Sequence, residues 1–428
     1  MIAIGVDLGT SGVRAAALSP ERQVLAMTRG AYGAGAEAGS TPEGWWSATQ
    51  EALRALVAEL EARGHSADAI TGLSVDGTSG TVLLADAALR PVGRALMYHQ
   101  SGFDAEAARI ADVAPDPHIA RGSGSALARV LRLLAEDADG AATQVLHQAD
   151  YIAARLRGQG GRTDFNNALK TGLDPMTGTW PEWIAELGGP AAQLPAMLPA
   201  AQAPGTPFGP IDADVAQSLG LPPQLNLHAG TTDSIAAFLA SAPQSPGAAV
   251  TSLGTTLAIK LFSPVRIDAP EMGLYAHRMG GGWLVGGASN TGAGVLRHFF
   301  TVEALEGLSA EIDPDTESPL DYYPLLAPGE RFPVNDPAYP PRMTPRPESD
   351  AAFLHGLLES MARIEKRCYD RLRDLGAPAP DRILTAGGGA SNAVWTRIRS
   401  RVLGLPVARA EMSEACIGAA SLALPPPA

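Results

Sequence analysis

Lysine is nearly missing from this chain of 428 residues: Lys170, Lys260 and Lys366 are the only three. None follows a glycine, so there is no GxxxxGK[ST] loop, and any grip on phosphate must come from other donors. Cysteine is as scarce. Cys368 and Cys416 alone exclude a disulfide framework and a paired-cysteine metal knuckle, and they suit a reducing, cytoplasmic setting. Basic charge is short too: 32 Lys and Arg face 45 Asp and Glu, a net charge of −13. That sign repels nucleic-acid phosphates and anionic lipid, so neither nucleic acid nor membrane is expected as a partner. A local anion site built from backbone amides stays open. No apolar run reaches the roughly 18 residues of a membrane span, and the opening MIAIGVDLGT lacks the basic start of a secretion signal. What is present is globular: 46% hydrophobic and 18% charged residues, with length for two or three domains.

The apolar run Ile2 to Val6 ends at Asp7. Gly9-Thr10-Ser11-Gly12 and a second run, Val13 to Leu18, follow, which reads as a strand, a tight turn and a returning strand. Thr41-Pro42 opens a helix that ends near Arg63 and Gly64. Its buried stripe takes in Trp46 and Leu53, which leaves Trp45 as an exposed aromatic. Ile70 to Val75 runs into Asp76-Gly77-Thr78-Ser79-Gly80 and out again through Val82 to Leu84. Residues 100–225 read as helical and loop-rich. Asn226 to Ala229 is a strand end, Gly230-Thr231-Thr232 follows, and Asp233 opens a helix. Ser241 to Gly247 is the best linker. Ala248 to Leu253, Gly254-Thr255-Thr256 and Leu257 to Phe262 then repeat the opening pattern. A Pro-rich stretch, 310–348, reads as an ordered surface excursion or a lid. Asp350 caps a long helix. The strand Ile383 to Ala386 leads into Gly387-Gly388-Gly389 and a further helix.

Glycines let a backbone approach a ligand, and Thr and Ser hydroxyls with turn amides can hold phosphate oxygens without lysine. One such turn is ordinary hairpin chemistry. Two in corresponding places, each after an apolar strand, suggest a duplicated fold that binds a nucleotide. Gly387-Gly388-Gly389-Ala390-Ser391-Asn392 is either a flexible connector or a nucleotide loop at a helix N-terminus. Asp233 is either a first-turn carboxylate or a general base for phosphoryl transfer. Asp7 is either a turn-initiating residue or one that orients Mg²⁺ or a substrate hydroxyl. His99 and His228 have no metal-ligand spacing and read as structural.

Taken together these strings resemble the FGGY family of carbohydrate kinases. VDLGTSGVRAAAL (6–18) and SLGTTLAIK (252–260) are similar to its two phosphate motifs, and VDGTSGTVLL (75–84) to its sugar-side strand and turn. AGTTDSIAAFLAS (229–241) resembles the segment that carries the family's catalytic aspartate. PLLAPGERFPVNDP (324–337), TAGGGASNAVWTRIRSRVLGLPV (385–407) and GAASLAL (418–424) match its later segments in order. Met97-Tyr98-His99-Gln100 stands where the family usually has W-x-D-x-R, and the short chain is most similar to a compact branch with D-ribulose kinase activity.

The resemblance implies an α/β fold of two duplicated lobes, like actin, hexokinase and Hsp70 (ribonuclease H-like), with a nucleotide cleft between them. It implies a sugar-binding lobe over 1–240, to which 414–428 returns, and a nucleotide-binding lobe over 241–413. It implies ATP and Mg²⁺ as cofactors, a small sugar as substrate, and a monomer or homodimer. Asp233 would be the base. Thr10, Ser11, Gly254, Thr255 and Thr256 would hold phosphates, and Gly387, Gly388, Gly389 and Asn392 the adenosine. Asp7, Asp76, Thr78 and Ser79 would face the sugar, and Asp7 and Asp233 the metal. The expected reaction converts D-ribulose to D-ribulose 5-phosphate, with D-xylulose, another sugar or polyol, or a non-kinase ATPase or sugar-responsive binding module of the same fold as alternatives.

Overall fold

Strand β1 (Ile2–Leu8) is buried at every position, as a near-continuous apolar run is when both faces of its sheet are covered. It returns as β2 (Val13–Leu18) through a turn closed by Gly9 N donating to Gly12 O at 3.1 Å. β3 (Val24–Gly30) extends the antiparallel ribbon. Helix α1 (Pro42–Ala62) starts as its sequence dictates: Thr41 Oγ1 accepts from Gly44 N, and Pro42 occupies the first turn. It leads to β4 (Ile70–Gly77), parallel to β1.

The structure, a computed structural model, describes residues 1–33 and 38–425. The chain forms two units, one of Met1–Ala240 with Glu414–Ala428, the other of Ser241–Ser413. Of the closing segment 414–428, residues 426–428 lie outside the described ones.

In the first unit β5 (Val82–Ala85) does not pair with β4. The expected strand–turn–strand at 76–84 instead carries the chain out of the main sheet and into a small one, where β5 lies between β6 (Pro91–Leu96) and β7 (Gln144–His147). The main sheet is completed by β8 (Pro207–Pro210) and β9 (Asn226–Thr232), in the order β8-β9-β4-β1-β2-β3, with β9, β4 and β1 mutually parallel. Gly230, Thr231 and Thr232 are thus the last residues of β9, which runs past the expected strand end at Ala229. Helix α1 covers one face. Trp45 is 0% exposed and Trp46 8%, so the expectation of an exposed Trp45 fails. The buried stripe of α1 is wide enough for both adjacent rings, and Trp45 Nε1 donates to Gly39 O at 2.7 Å. The C-terminal helix (Ala415–Leu422) packs on β1 through Gly5, where a Cβ would lie 1.9 Å from Cys416 O. Only glycine allows this backbone contact, which returns the end of the chain to the first unit.

The second unit repeats the plan. β10 (Ala249–Leu253) and β11 (Leu257–Ser263) form an antiparallel hairpin, and β14 (Ile383–Ala386) lies parallel beside β10. With β12 (His277–Met279), β13 (Gly282–Val285) and β15 (Val407–Arg409) the order is β12-β13-β11-β10-β14-β15. Helices α5 (Asp350–Asp374) and α6 (Ala393–Leu403) pack on one another and pass apolar faces into the core. Ser349, not Asp350, caps α5: its Oγ accepts from Ala352 N, which leaves Asp350 in the first turn. The Pro-rich stretch is not a surface excursion throughout, because Tyr322, Tyr323, Leu325 and Phe332 are core residues of this unit.

A buried ion pair ties these layers together. Arg399 on α6 grips Glu365 on α5 through two bonds of 2.6 and 2.7 Å and donates to Thr385 Oγ1 on β14 at 2.7 Å. Thr251 on β10 donates to Glu365.

Candidate active site

The parallel register of the first unit brings its carboxylates together. Asp7 on β1 is paired directly with Asp76 on β4, and Asp76 in turn with Thr231 on β9. Asp233 follows two residues later as the first residue of helix α4 (Asp233–Ser241). Three carboxylates therefore sit at the C-terminal ends of three adjacent parallel strands, where open α/β sheets bind ligands. Asp7 and Asp76 are 3% and 0% exposed, and Asp233 is half-buried. Burial pushes Asp7 upward, against the neighbouring Asp76 carboxyl and the Arg14 guanidinium, whose Nη1 lies 3.1 Å from Asp7 Oδ2. Arg14 also reaches Glu414 at 3.3 Å. Burial and the charges of Asp7 and Asp233 lift Asp76 well above the usual carboxylate range. Of the pair, Asp76 is the one whose neutral form the site favours. Asp233 Oδ1 accepts from Ser234 N at 2.6 Å.

The sugar-side turn is more internal than expected. Thr78 is 3% exposed. Its N and Oγ1 both donate to Gln148 Oε1, at 3.0 and 2.7 Å, and Oγ1 also meets Thr81 Oγ1 at 2.6 Å. The Thr78 hydroxyl thus holds the turn together, in place of facing a sugar, because chain reversal at Gly80 needs its polar groups paired inside. Ser79 is half-buried. Thr81 Oγ1 accepts from Tyr98 N, which links the turn to the Met97-Tyr98-His99-Gln100 segment.

That segment is clamped by Arg129, on helix α2 (Ala126–Glu136). Arg129 is 1% exposed, and all its bonds go to main-chain carbonyls: Met97, Tyr98, Gln100, Gly124 and Ser125. Sequence reasoning missed Arg129 and Gln148. Arg129 was recognisable, since it falls in the buried phase of α2 between Ala126 and Leu133. Gln148, the first residue of helix α3 (Gln148–Arg157), carries no such mark.

Thr10 and Ser11 are exposed at the tip of the first Gly-Thr turn, and Tyr32 OH braces the turn by donating to Gly9 O at 2.6 Å. In the second unit Gly254, Thr255 and Thr256 form the corresponding tip, with Arg297 Nη2 donating to Thr255 Oγ1 at 3.1 Å. A hollow of about 300 Å³ opens there, lined by Thr255, Thr256, Asn290, Gly294 and Gly329 among others. Glu330 of the GER segment shapes its rim by accepting from Ser289 Oγ, Asn290 N and Arg331 N at 2.6–2.8 Å. The β10–β14 pairing sets Gly387 against this second tip, where a Cβ would lie 2.9 Å from Leu253 O and 3.3 Å from Gly254 N. Gly387 has φ +83°, Gly388 faces open space, and Gly389 fits under Trp395. Asn392 departs from its expected place. Its Oδ1 accepts from Trp395 N and its Nδ2 donates to Ser309 Oγ, both at 2.9 Å. It caps α6 and pins the loop, since an orphan amide at a helix start needs such an acceptor.

Among the described residues no group of three or more His, Cys, Asp and Glu is placed to hold a metal ion. Two carboxylates, Asp7 and Asp233, still suit Mg²⁺, which takes one or two carboxylates together with phosphate oxygens and water. Among the described residues no helix is long and apolar enough to cross a membrane.

Gly-Thr tips on each of two duplicated sheets, with a carboxylate cluster on one of them, are parts that suit phosphoryl transfer. The FGGY family of carbohydrate kinases matches the chain throughout, its N-terminal domain over residues 2–240 and its C-terminal domain over 249–424, and the chain belongs to that family. Xylulose kinase of Klebsiella pneumoniae is 26% identical over 78% of this chain and 71% of its own length. That of Streptomyces coelicolor is 28% identical over 99% and 87%. The crystal structure of xylulose kinase from Rhodospirillum rubrum superposes with a TM-score of 0.83 at 24% identity, covering 99% of this chain and 89% of that one, a likeness of fold.

Proposed function

We propose that this kinase transfers the γ-phosphoryl group of ATP to a terminal hydroxyl of a free ketopentose, D-ribulose, to give D-ribulose 5-phosphate. One observation carries the assignment of the base. Of three clustered carboxylates, Asp7 is paired with Arg14 and Asp76 is fully buried and pushed toward its neutral form, which leaves Asp233 at the rim as the proton acceptor. In the reaction the sugar O–H gives its proton to the Asp233 carboxylate. The oxygen attacks the γ-phosphorus in line, and the bond from that phosphorus to the ADP oxygen breaks. Thr10, Ser11, Thr255 and Thr256 supply hydroxyls and turn amides to the phosphates, and Gly387, Gly388 and Gly389 admit the adenosine. Asp7 and Ser79 bind sugar hydroxyls. Asp7 and Asp233 would hold Mg²⁺, which would supply screening of the phosphate charge. A cytoplasmic setting suits the two free, buried cysteines.

D-ribulose is supported by the VDGTSGTVLL string and by Met97-Tyr98-His99-Gln100 in place of the usual W-x-D-x-R. The names of the relatives favour D-xylulose as the second reading. Coupled ADP release with Mg-ATP, across D-ribulose, D-xylulose, L-ribulose, glycerol and a blank without sugar, tests the substrate. Strong release with D-ribulose alone is expected. Release with D-xylulose alone would replace the substrate, and equal release in every well would overturn sugar phosphorylation. Asp233→Ala is expected to abolish transfer with ATP affinity within a few-fold, and near-normal turnover in it would remove the base assignment.

A further inference from the structure

The outer edge of β9 changes partners just before Asp233. β8 pairs with β9 only as far as His228, and its lead-in residues Gly205 and Thr206 bond Ala229. On the inner side the register with β4 is interrupted between His228 and Thr231, where Gly230 lies so close to Val75 O that a Cβ would sit 1.8 Å away. The sheet ladder therefore places Thr231 from one side only. On the other side two amides of a short helix (Phe165–Ala168) take over. Asn167 Nδ2 donates to Thr231 O at 3.1 Å, and Asn166 Nδ2 to Thr231 Oγ1 at 2.9 Å.

Asp164 aims these amides. Its Oδ1 accepts from Asn166 N and Asn167 N at 2.8 and 3.0 Å, and its Oδ2 accepts from Asn167 Nδ2 at 2.6 Å. Asp164, Asn166 and Asn167 are each 2% exposed or less. The Asn167 amide nitrogen is thus engaged on both sides, by Asp164 Oδ2 and by the Thr231 carbonyl, while its Oδ1 meets no hydrogen-bond partner; a buried donor so held fixes the carbonyl it meets.

We infer that Asn167 is a positioning residue for phosphoryl transfer: its amide, oriented by Asp164, holds the Thr231 carbonyl and so sets where Asp233 stands. The inference rests on Asp233 being the base. A base works only within about 2.6–3.2 Å of the proton that it takes, and a displacement of roughly 1 Å costs on the order of a hundredfold. Loss of the clamp then falls on kcat, while the nucleotide turns of the second unit are untouched.

Asn167→Asp keeps the shape but turns a donor into an acceptor, which faces the Thr231 carbonyl and the Asp164 carboxylate. The double change Asp164→Asn with Asn167→Asp restores the bond between the two side chains and the caps on the following amides. It leaves an oxygen against Thr231 O. With D-ribulose and D-xylulose as probes, N167D is expected to lower kcat roughly ten- to a hundredfold, with KM for ATP within about twofold. The double variant is expected to regain the melting temperature and not the kcat, a split that a merely structural role would not produce. Asn167→Ser, which removes the amide without adding charge, is expected to lose kcat likewise and serves if N167D does not fold. Near-normal kcat in N167D or N167S, or recovery of kcat with melting temperature in the double variant, would overturn the inference. Asp233→Ala is run alongside: its near-normal turnover would remove the base assignment, whereas an inactive D233A beside a fully active N167S would remove only the clamp.

Discussion

Glu365→Gln should be among the most damaging isosteric changes in the second unit. The guanidinium of Arg399 and the carboxylate of Glu365 are 1% and 0% exposed, with two parallel bonds between them. Burial lowers the Arg399 pKa, but the Glu365 charge and bonds outweigh it, so the net direction is upward and the guanidinium keeps its charge. The amide removes the anion and one of the two acceptors, and a full positive charge stays in the core. Breaking a buried pair from one side costs about 3–5 kcal/mol. A unit of this size loses about 2–4 °C per kcal/mol, so its transition should fall by roughly 6–20 °C.

Calorimetry or circular dichroism on the full chain reads this directly. The loss should be nearly the same at 0.1 and 1 M salt, on the order of a 10 Å and a 3 Å screening length, because water and ions do not reach the pair. Replacing both partners, Glu365→Met with Arg399→Met, removes both charges and should recover much of the loss. It should not recover all, because Thr385 loses the partner that Arg399 supplies at 2.7 Å, a cost of about 1–3 kcal/mol. Thr251 keeps Tyr369 OH at 3.0 Å. A fall below about 3 °C in the single variant, or a double variant as unstable as the single, would refute the reasoning.

Asp76→Asn should change the pH dependence of stability. Because the folded-state pKa of Asp76 is raised, the folded chain keeps a proton that the unfolded chain releases, and stability falls as pH rises from the ordinary carboxylate range toward the raised value. The amide has no such proton to lose, so the stability of the variant relative to the natural chain should rise as pH increases above the ordinary carboxylate range in urea melts; a difference independent of pH would contradict the upward shift. Arg129→Lys replaces a five-donor fork by three donors, so at least two of the carbonyls around the Met97–Gln100 segment lose their partner. Stability should drop by about 1–3 kcal/mol, and KM for the sugar should rise several-fold with KM for ATP unchanged; equal changes in both would place the effect elsewhere.

Features written in consecutive residues were legible. An apolar run, Gly-Thr and a second run make a hairpin whatever surrounds them, and both hairpins stand where such strings occur. The third string, at 76–84, has the same letters but does not form one, because β5 finds partners in another sheet. Trp45 was misread because helical phase marks the centre of a buried stripe and not its width. Thr78 and Asn392 were assigned to ligands by residue type, yet their bonds go to Gln148 and to Trp395 and Ser309.

The sequence by itself determined the duplicated α/β plan, the two Gly-Thr tips, the glycine loop after Ala386 and the candidate base, Asp233. Each rests on short-range chemistry: chain reversal, strand burial, helix starts. Only the tertiary structure decided that Asp7 and Asp76 share a register position, that Gln148 holds the turn at Thr78 and Arg129 the segment at Met97, and that Asn167 reaches Thr231. Those contacts join residues far apart in the chain. Their geometry follows from which strands pair and in what register, and that depends on the packing of the whole unit.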